Sequence, residues 1–125
     1  MSAPEFSLSS TVLGSPDPRG LAGFYRDLLG WEVRVDQPEW VVLGSPSGAG
    51  LAFQLEDGHV PPTWPSGPGD QQMQAHLDIR VNDLAAGVAR AQALGASLAD
   101  QQPQDDVRVL VDPAGHPFCL FVSAG

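Results

Sequence analysis

The chain has 125 residues, 42% of them apolar, which is enough for one compact domain with a sizeable core. Six basic against fifteen acidic residues leave a formal charge of −9, which argues against nucleic acid or an anionic membrane as the main partner, since both reward lysine and arginine. A single cysteine excludes an internal disulfide, no apolar run nears the ~20 residues that span a bilayer, and the opening M-S-A-P-E-F-S-L lacks the basic and apolar segments of a signal peptide, so a cytoplasmic protein is expected.

The predicted elements begin with a strand of small and β-branched residues over 7–13. Asp17 then caps a helix with Pro18 at its first position, where the missing N–H costs nothing. Leu21, Phe24 and Leu28 form one apolar stripe, and Gly30 is the expected left-handed stop. Residues 31–35 and 40–43 read as strands around a D-Q-P-E turn, and 51–55 as a third strand after the turn S45-P-S-G-A-G50. Residues 56–73 are a linker rich in proline and glycine. A strand follows at 75–81, then a helix from Asp83 to about Leu94 with Leu84, Val88 and Ala91 on one side. Further strands are expected at 97–101, 107–111 and 117–122.

The order is β-α-β-β-β, twice. Aligning the two helix caps, Asp17 and Asp83, sets Ser10 opposite His76. Aligning S47-G-A-G-L-A-F-Q-L55 with D112-P-A-G-H-P-F-C-L120 sets Gln54 opposite Cys119. Strand alternation predicts that Leu51, Phe53, Leu55, Leu77, Ile79, Val81, Phe118, Leu120 and Val122 pack under the helices. The other face then carries Gln54, Glu56, His76, Asp78, Arg80, Cys119 and Phe121.

The runs D17-P-R-G-L-A-G-F-Y-R-D-L-L-G-W31, H76-L-D-I-R-V-N-D-L84, A93-L-G-A96 and D112-P-A-G-H-P-F118 resemble the vicinal oxygen chelate superfamily, and above all its small glyoxalase-like and bleomycin-resistance-like members. The resemblance implies an α+β protein: two tandem βαβββ modules whose curved mixed sheet forms a cup, with one helix packed outside each half. It implies a single domain over 1–125, with module one at about 7–55, the linker at about 56–73 and module two at about 74–123. Metal-dependent members hold a divalent ion in the cup with His or Gln, Glu, His and Glu. The matching positions here are Ser10, Gln54, His76 and Cys119. Two neutral oxygens beside one imidazole and one thiol make a poor ion site, so no metal or other cofactor is expected. Relatives often pair, which implies a homodimer.

The leading expectation is a metal-free protein that holds a small organic molecule in the cup, as in drug or metabolite sequestration. The expected lining is Ser10, Gln54, His76, Asp78, Cys119, Phe121 and Trp64. The alternative is a metal-dependent lyase, isomerase or thiol transferase of the glyoxalase type, with His76 the candidate base. A third reading is an interaction module whose cup is filled by side chains. His76 reads equally as a functional group and as a polar cleft residue without a role. Cys119 reads more readily as a small buried side chain than as a nucleophile. Asp78 and Arg80 read as an ion pair, and Trp64 as either a packing anchor for the linker or a cover for the cleft mouth. An acidic lining beside an aromatic wall predicts a neutral-to-cationic, partly aromatic ligand, and no phosphate loop or basic cluster favours a phosphorylated one.

Overall fold

The structure, a computed structural model, describes residues 3–122. In chain order the first half runs β1 (Ser10–Ser15), α1 (Pro18–Leu29), β2 (Glu32–Gln37), β3 (Trp40–Gly44) and β4 (Gly50–Leu55). The second runs β5 (Leu77–Arg80), α2 (Leu84–Leu94), β6 (Ser97–Leu98), β7 (Val107–Val111) and β8 (Pro117–Phe121). Each half is a four-stranded mixed sheet, ordered β1-β4-β3-β2 and β5-β8-β7-β6, with a parallel outer pair and two antiparallel pairs. The chain divides into two compact units, 1–57 and 58–125. Most of the linker therefore belongs with the second unit.

Both helices start and stop for local reasons. The Asp17 carboxylate accepts from the Gly20 N–H at 3.0 Å, and Asp83 does the same for Ala86 at 3.0 Å. Each bond satisfies one of the donors that a helix N-terminus leaves free, worth about 1 kcal/mol. Gly30 closes α1 at φ +71°, a conformation that glycine adopts without strain. In the first half Leu21, Ala22, Phe24 and Tyr25 of α1 are buried, as are Val41, Leu43, Leu51 and Phe53 of the sheet. Tyr25 stacks on Phe53 with ring centroids 5.8 Å apart. Full burial of such side chains contributes roughly 1.5–3 kcal/mol each. The second half packs a thinner helix: Ala91 is its buried residue, and Gly87 lies so close to Val81 that a Cβ there would meet the Val81 methyl at 2.8 Å.

Several expected boundaries differ. β1 begins at Ser10 rather than residue 7, because its ladder partner β4 begins at Gly50, whose N–H bonds the Ser9 carbonyl. β5 begins at Leu77, so His76 lies just outside the strand; the next position of β8 is Pro117, which has no N–H to extend the ladder. β6 has two residues in place of five. Gln102 takes over the edge: its amide Nε2 donates to Ala99 O at 2.8 Å and Val109 O at 2.9 Å, and its Oε1 accepts from Val109 N at 2.9 Å. Of the residues expected under the helices, Leu51, Phe53, Phe118 and Leu120 are buried, whereas Leu55 at the end of β4 is 39% exposed.

Strand pairing also changes the internal repeat. Thr11 pairs with Leu51 and Leu77 with Phe118, while Val42 pairs with Ala52 and Val109 with Cys119. With Ser10 matched to His76, the first-half counterpart of Cys119 is therefore Ala52, and Gln54 corresponds to Phe121. The expected match of Gln54 with Cys119 is two residues out of step. In the corrected frame the turns 45–49 and 112–116 have equal length, and Pro46 falls on Pro113 and Gly48 on Gly115. The turns also share a device: Ser45 Oγ accepts from Ser47 N at 3.2 Å, and Asp112 Oδ1 from Ala114 N at 2.9 Å. A shift of two keeps the side-chain face, so the expected facing survives although the pairing does not.

Candidate functional site

In the second half, the face of the sheet away from α2 opens into a cleft of about 300 Å³. It is lined by His76, Asp78, Cys119, Phe121 and Val122 from β5, β8 and their ends, and by Gln104, Asp106 and Val107 from the entry to β7. Asp78 and Cys119 are register partners on adjacent parallel strands, so their side chains rise side by side. His76, one pleat earlier, turns its Nε2 to Asp78 Oδ1 at 3.0 Å. The entry segment is held by its backbone: Val122 N donates to Asp106 O at 3.2 Å, and Arg108 Nη1 donates to the carbonyls of Gln104, Asp105 and Val107 at 3.0, 3.2 and 2.8 Å.

Asp78 is the centre of this group. It bonds His76 and stands beside the Cys119 thiol on the neighbouring strand. The Cys119 thiol is pushed above its ordinary range first by burial, then by the Asp78 charge and by hydrogen bonding toward that carboxylate. It is a neutral donor at physiological pH and a poor nucleophile. Among the described residues no ion pair joins Asp78 to Arg80, contrary to the pairing expected from sequence.

The expected site residues are thus divided. His76, Asp78, Cys119 and Phe121 meet in this cleft. Ser10 and Gln54 belong to the first half, where Gln54 Nε2 donates to Glu56 Oε1 at 2.6 Å. Trp64 does not line the cleft; its indole N–H reaches the Gln101 carbonyl at 3.4 Å, which makes it an anchor of the linker. His59 and Pro61 anchor the same segment, His59 Nε2 bonding Ala114 O at 2.8 Å and Pro61 lying against Gly115. Sequence reasoning missed Gln104 and Asp106, which precede a strand in a polar stretch without periodicity. Val122 was expected beneath the helix, but past the end of β8 it lies along the cleft.

A bound ion is the remaining chemical question. The ligand atoms of His76, Asp78 and Cys119 lie within 4.8 Å of one another. One nitrogen, one carboxylate oxygen and one sulfur suit an ion of the zinc class with an open position, and suit magnesium or manganese poorly. The donor set therefore fits such an ion in kind, and Asp78 supplies the charge that the four repeat positions lack.

The glyoxalase-like domain family matches residues 10–121. The chain belongs to that family. Solved structures share the fold over almost the whole length. A glyoxalase/bleomycin resistance protein/dioxygenase family enzyme from Burkholderia phytofirmans PsJN superposes with a TM-score of 0.72 at 18% identity, over 94% of this chain and 98% of that one. A glyoxalase-related enzyme from Fulvimarina pelagi gives 0.66 at 25% identity, over 93% and 87%. The bleomycin-binding protein of bleomycin-producing Streptomyces verticillus, solved with copper(II)-bleomycin, gives 0.62 at 15% identity, over 97% and 99%. No curated protein matches the chain. In this glyoxalase-like domain, Ala52 and Gln54 of the first half bring no imidazole, thiol or carboxylate to the positions that mirror Cys119 and Phe121.

Proposed function

We propose that this glyoxalase-like domain binds a small organic molecule in the second-half cleft and sequesters it without a resident metal. The observation that carries the reading is the cleft itself: about 300 Å³, lined by an aromatic ring, two carboxylates, an imidazole and an amide. Filled packing, as an interaction module would have, is not its character. The likeness in fold to a bleomycin-binding protein is compatible with sequestration. The polar groups favour the metal-free state. His76 already engages one oxygen of Asp78, and an ion would need the thiolate of a sulfur whose surroundings favour the thiol.

The second reading is a metal-dependent lyase, isomerase or thiol transferase, favoured by the His76–Asp78–Cys119 cluster. There an ion held by these three residues would polarise a substrate oxygen. The two readings separate in one experiment. The chain is purified without chelator, its metal content measured, and its melting followed against metals, metabolites and antibiotics before and after chelation. Sequestration predicts substoichiometric metal and an organic hit whose stabilisation survives chelation and falls on His76→Ala. Near-stoichiometric zinc, nickel, manganese or iron that is lost on His76→Ala would overturn the metal-free reading.

A further inference from the structure

We infer that the cleft selects a planar organic cation, an amidinium or aryl-ammonium group, held between Asp78 and Asp106 with its ring against Phe121. The inference rests on the reading that the cleft is a binding site. It narrows the expected neutral-to-cationic ligand to a cation and adds the residue, Asp106, that reads its charge. The lining holds two carboxylates and no arginine or lysine. Asp106 has no hydrogen-bond or ion-pair partner for its carboxylate among the described residues, while its backbone is fixed by Val122 N–H. The fold thus fixes the backbone at Asp106, and its exposed carboxylate borders the cleft without a partner among the described residues. Asp78 gives one oxygen, Oδ1, to His76.

The other polar lining groups agree with this choice. The Gln104 amide offers a carbonyl oxygen to a donor-rich ligand. Two basic groups stand near. Arg108 directs Nη1 to the backbone carbonyls of Gln104, Asp105 and Val107, in the entry segment of the cleft, and Arg80, the register partner of Phe121, lies two residues beyond Asp78 on the same face. Neither lines the cleft. A cleft of one sign with an apolar wall concentrates ligands of opposite sign, and an aromatic face adds attraction for a flat cation.

The test is an isosteric series of one shape and three charges: benzamidinium, benzamide and benzoate. Each is titrated calorimetrically into the full chain with chelator present. Benzamidinium is expected to bind tightest and to weaken as salt rises, while benzamide is insensitive to salt. Asp106→Asn should weaken benzamidinium about tenfold, weaken benzamide much less, and remove most of the salt dependence of benzamidinium binding. Asp78→Asn, which also loosens His76, should weaken both cation and amide. Equal or tighter binding of benzamide or benzoate would overturn the charge inference and leave the binding reading standing. Unchanged benzamidinium affinity in Asp106→Asn, or no binding by any of the three, would also overturn it. Failure of the binding reading itself is a different result: no organic hit in the broad panel before or after chelation.

Discussion

Cys119 shows how much a residue's meaning depends on its neighbours. From the sequence it stands where metal-dependent relatives carry a ligand carboxylate. In the structure it stands beside a carboxylate, Asp78, on the adjacent strand, whose charge disfavours the thiolate. Its alkylation by iodoacetamide should therefore be slow at neutral pH and rise with a midpoint above the ordinary thiol value of 9.0. Asp78→Asn removes a full negative charge, so the midpoint of the pH–rate profile should move down. A midpoint at or below the ordinary value in the unaltered chain would contradict the assignment. The sign carries into stability. A thiol whose folded-state pKa is raised adds stability that is fully present below the unfolded value and is lost as pH rises through the folded one. Urea melts at rising alkaline pH should show that loss, and Cys119→Ala should lack it.

At the scale of elements, the helices were legible and the strand ends were not. Asp17, Pro18, Gly30 and Asp83 are local signals, and the helices obey them. Strand length depends on the partner: Gly50 sets where β1 begins, Pro117 where β5 begins, and Gln102 where β6 gives out. The repeat shows the same limit. The four identities between L51-A-F-Q-L55 and H116-P-F-C-L120 with their leading turns pointed to one frame, whereas hydrogen-bonded pairing selects another, with Pro46 on Pro113 and Gly48 on Gly115. The face of each candidate site residue was readable because alternation survives a shift of two. Its counterpart in the other half was not. Two predictions belong here. Gln102→Ala leaves the Val109 N–H without its acceptor and should cost roughly 1–3 kcal/mol, with faster hydrogen exchange at Val109; unchanged exchange there would contradict the bridging role. Gly115 sits at φ +89° against Pro61, so Gly115→Ala should cost roughly 1–3 kcal/mol. An unchanged denaturation midpoint would show that neither the conformation nor the Pro61 contact constrains this turn.

For the whole molecule, family membership leaves assembly and ligand as the questions. No helix among the described residues is long and apolar enough to cross a membrane. Apolar side chains are nevertheless exposed near the first sheet's edge: Phe6 at 93%, Leu8 at 78% and Val12 on β1 at 46%. Among the described residues β1 pairs with β4 alone, and an edge strand flanked by exposed apolar groups favours pairing with another chain, so a homodimer is expected. Light scattering at tens of micromolar should report twice 13.2 kDa, and a single-chain mass would contradict it. The central claim, that the second-half cleft is the binding site, is tested most directly by amide chemical-shift mapping with the tightest hit of the panel. The account predicts shifts concentrated at residues 76–80, 104–107 and 117–122 that disappear in His76→Ala. Shifts centred instead on α1 and β2, or the same shifts retained in His76→Ala, would contradict it.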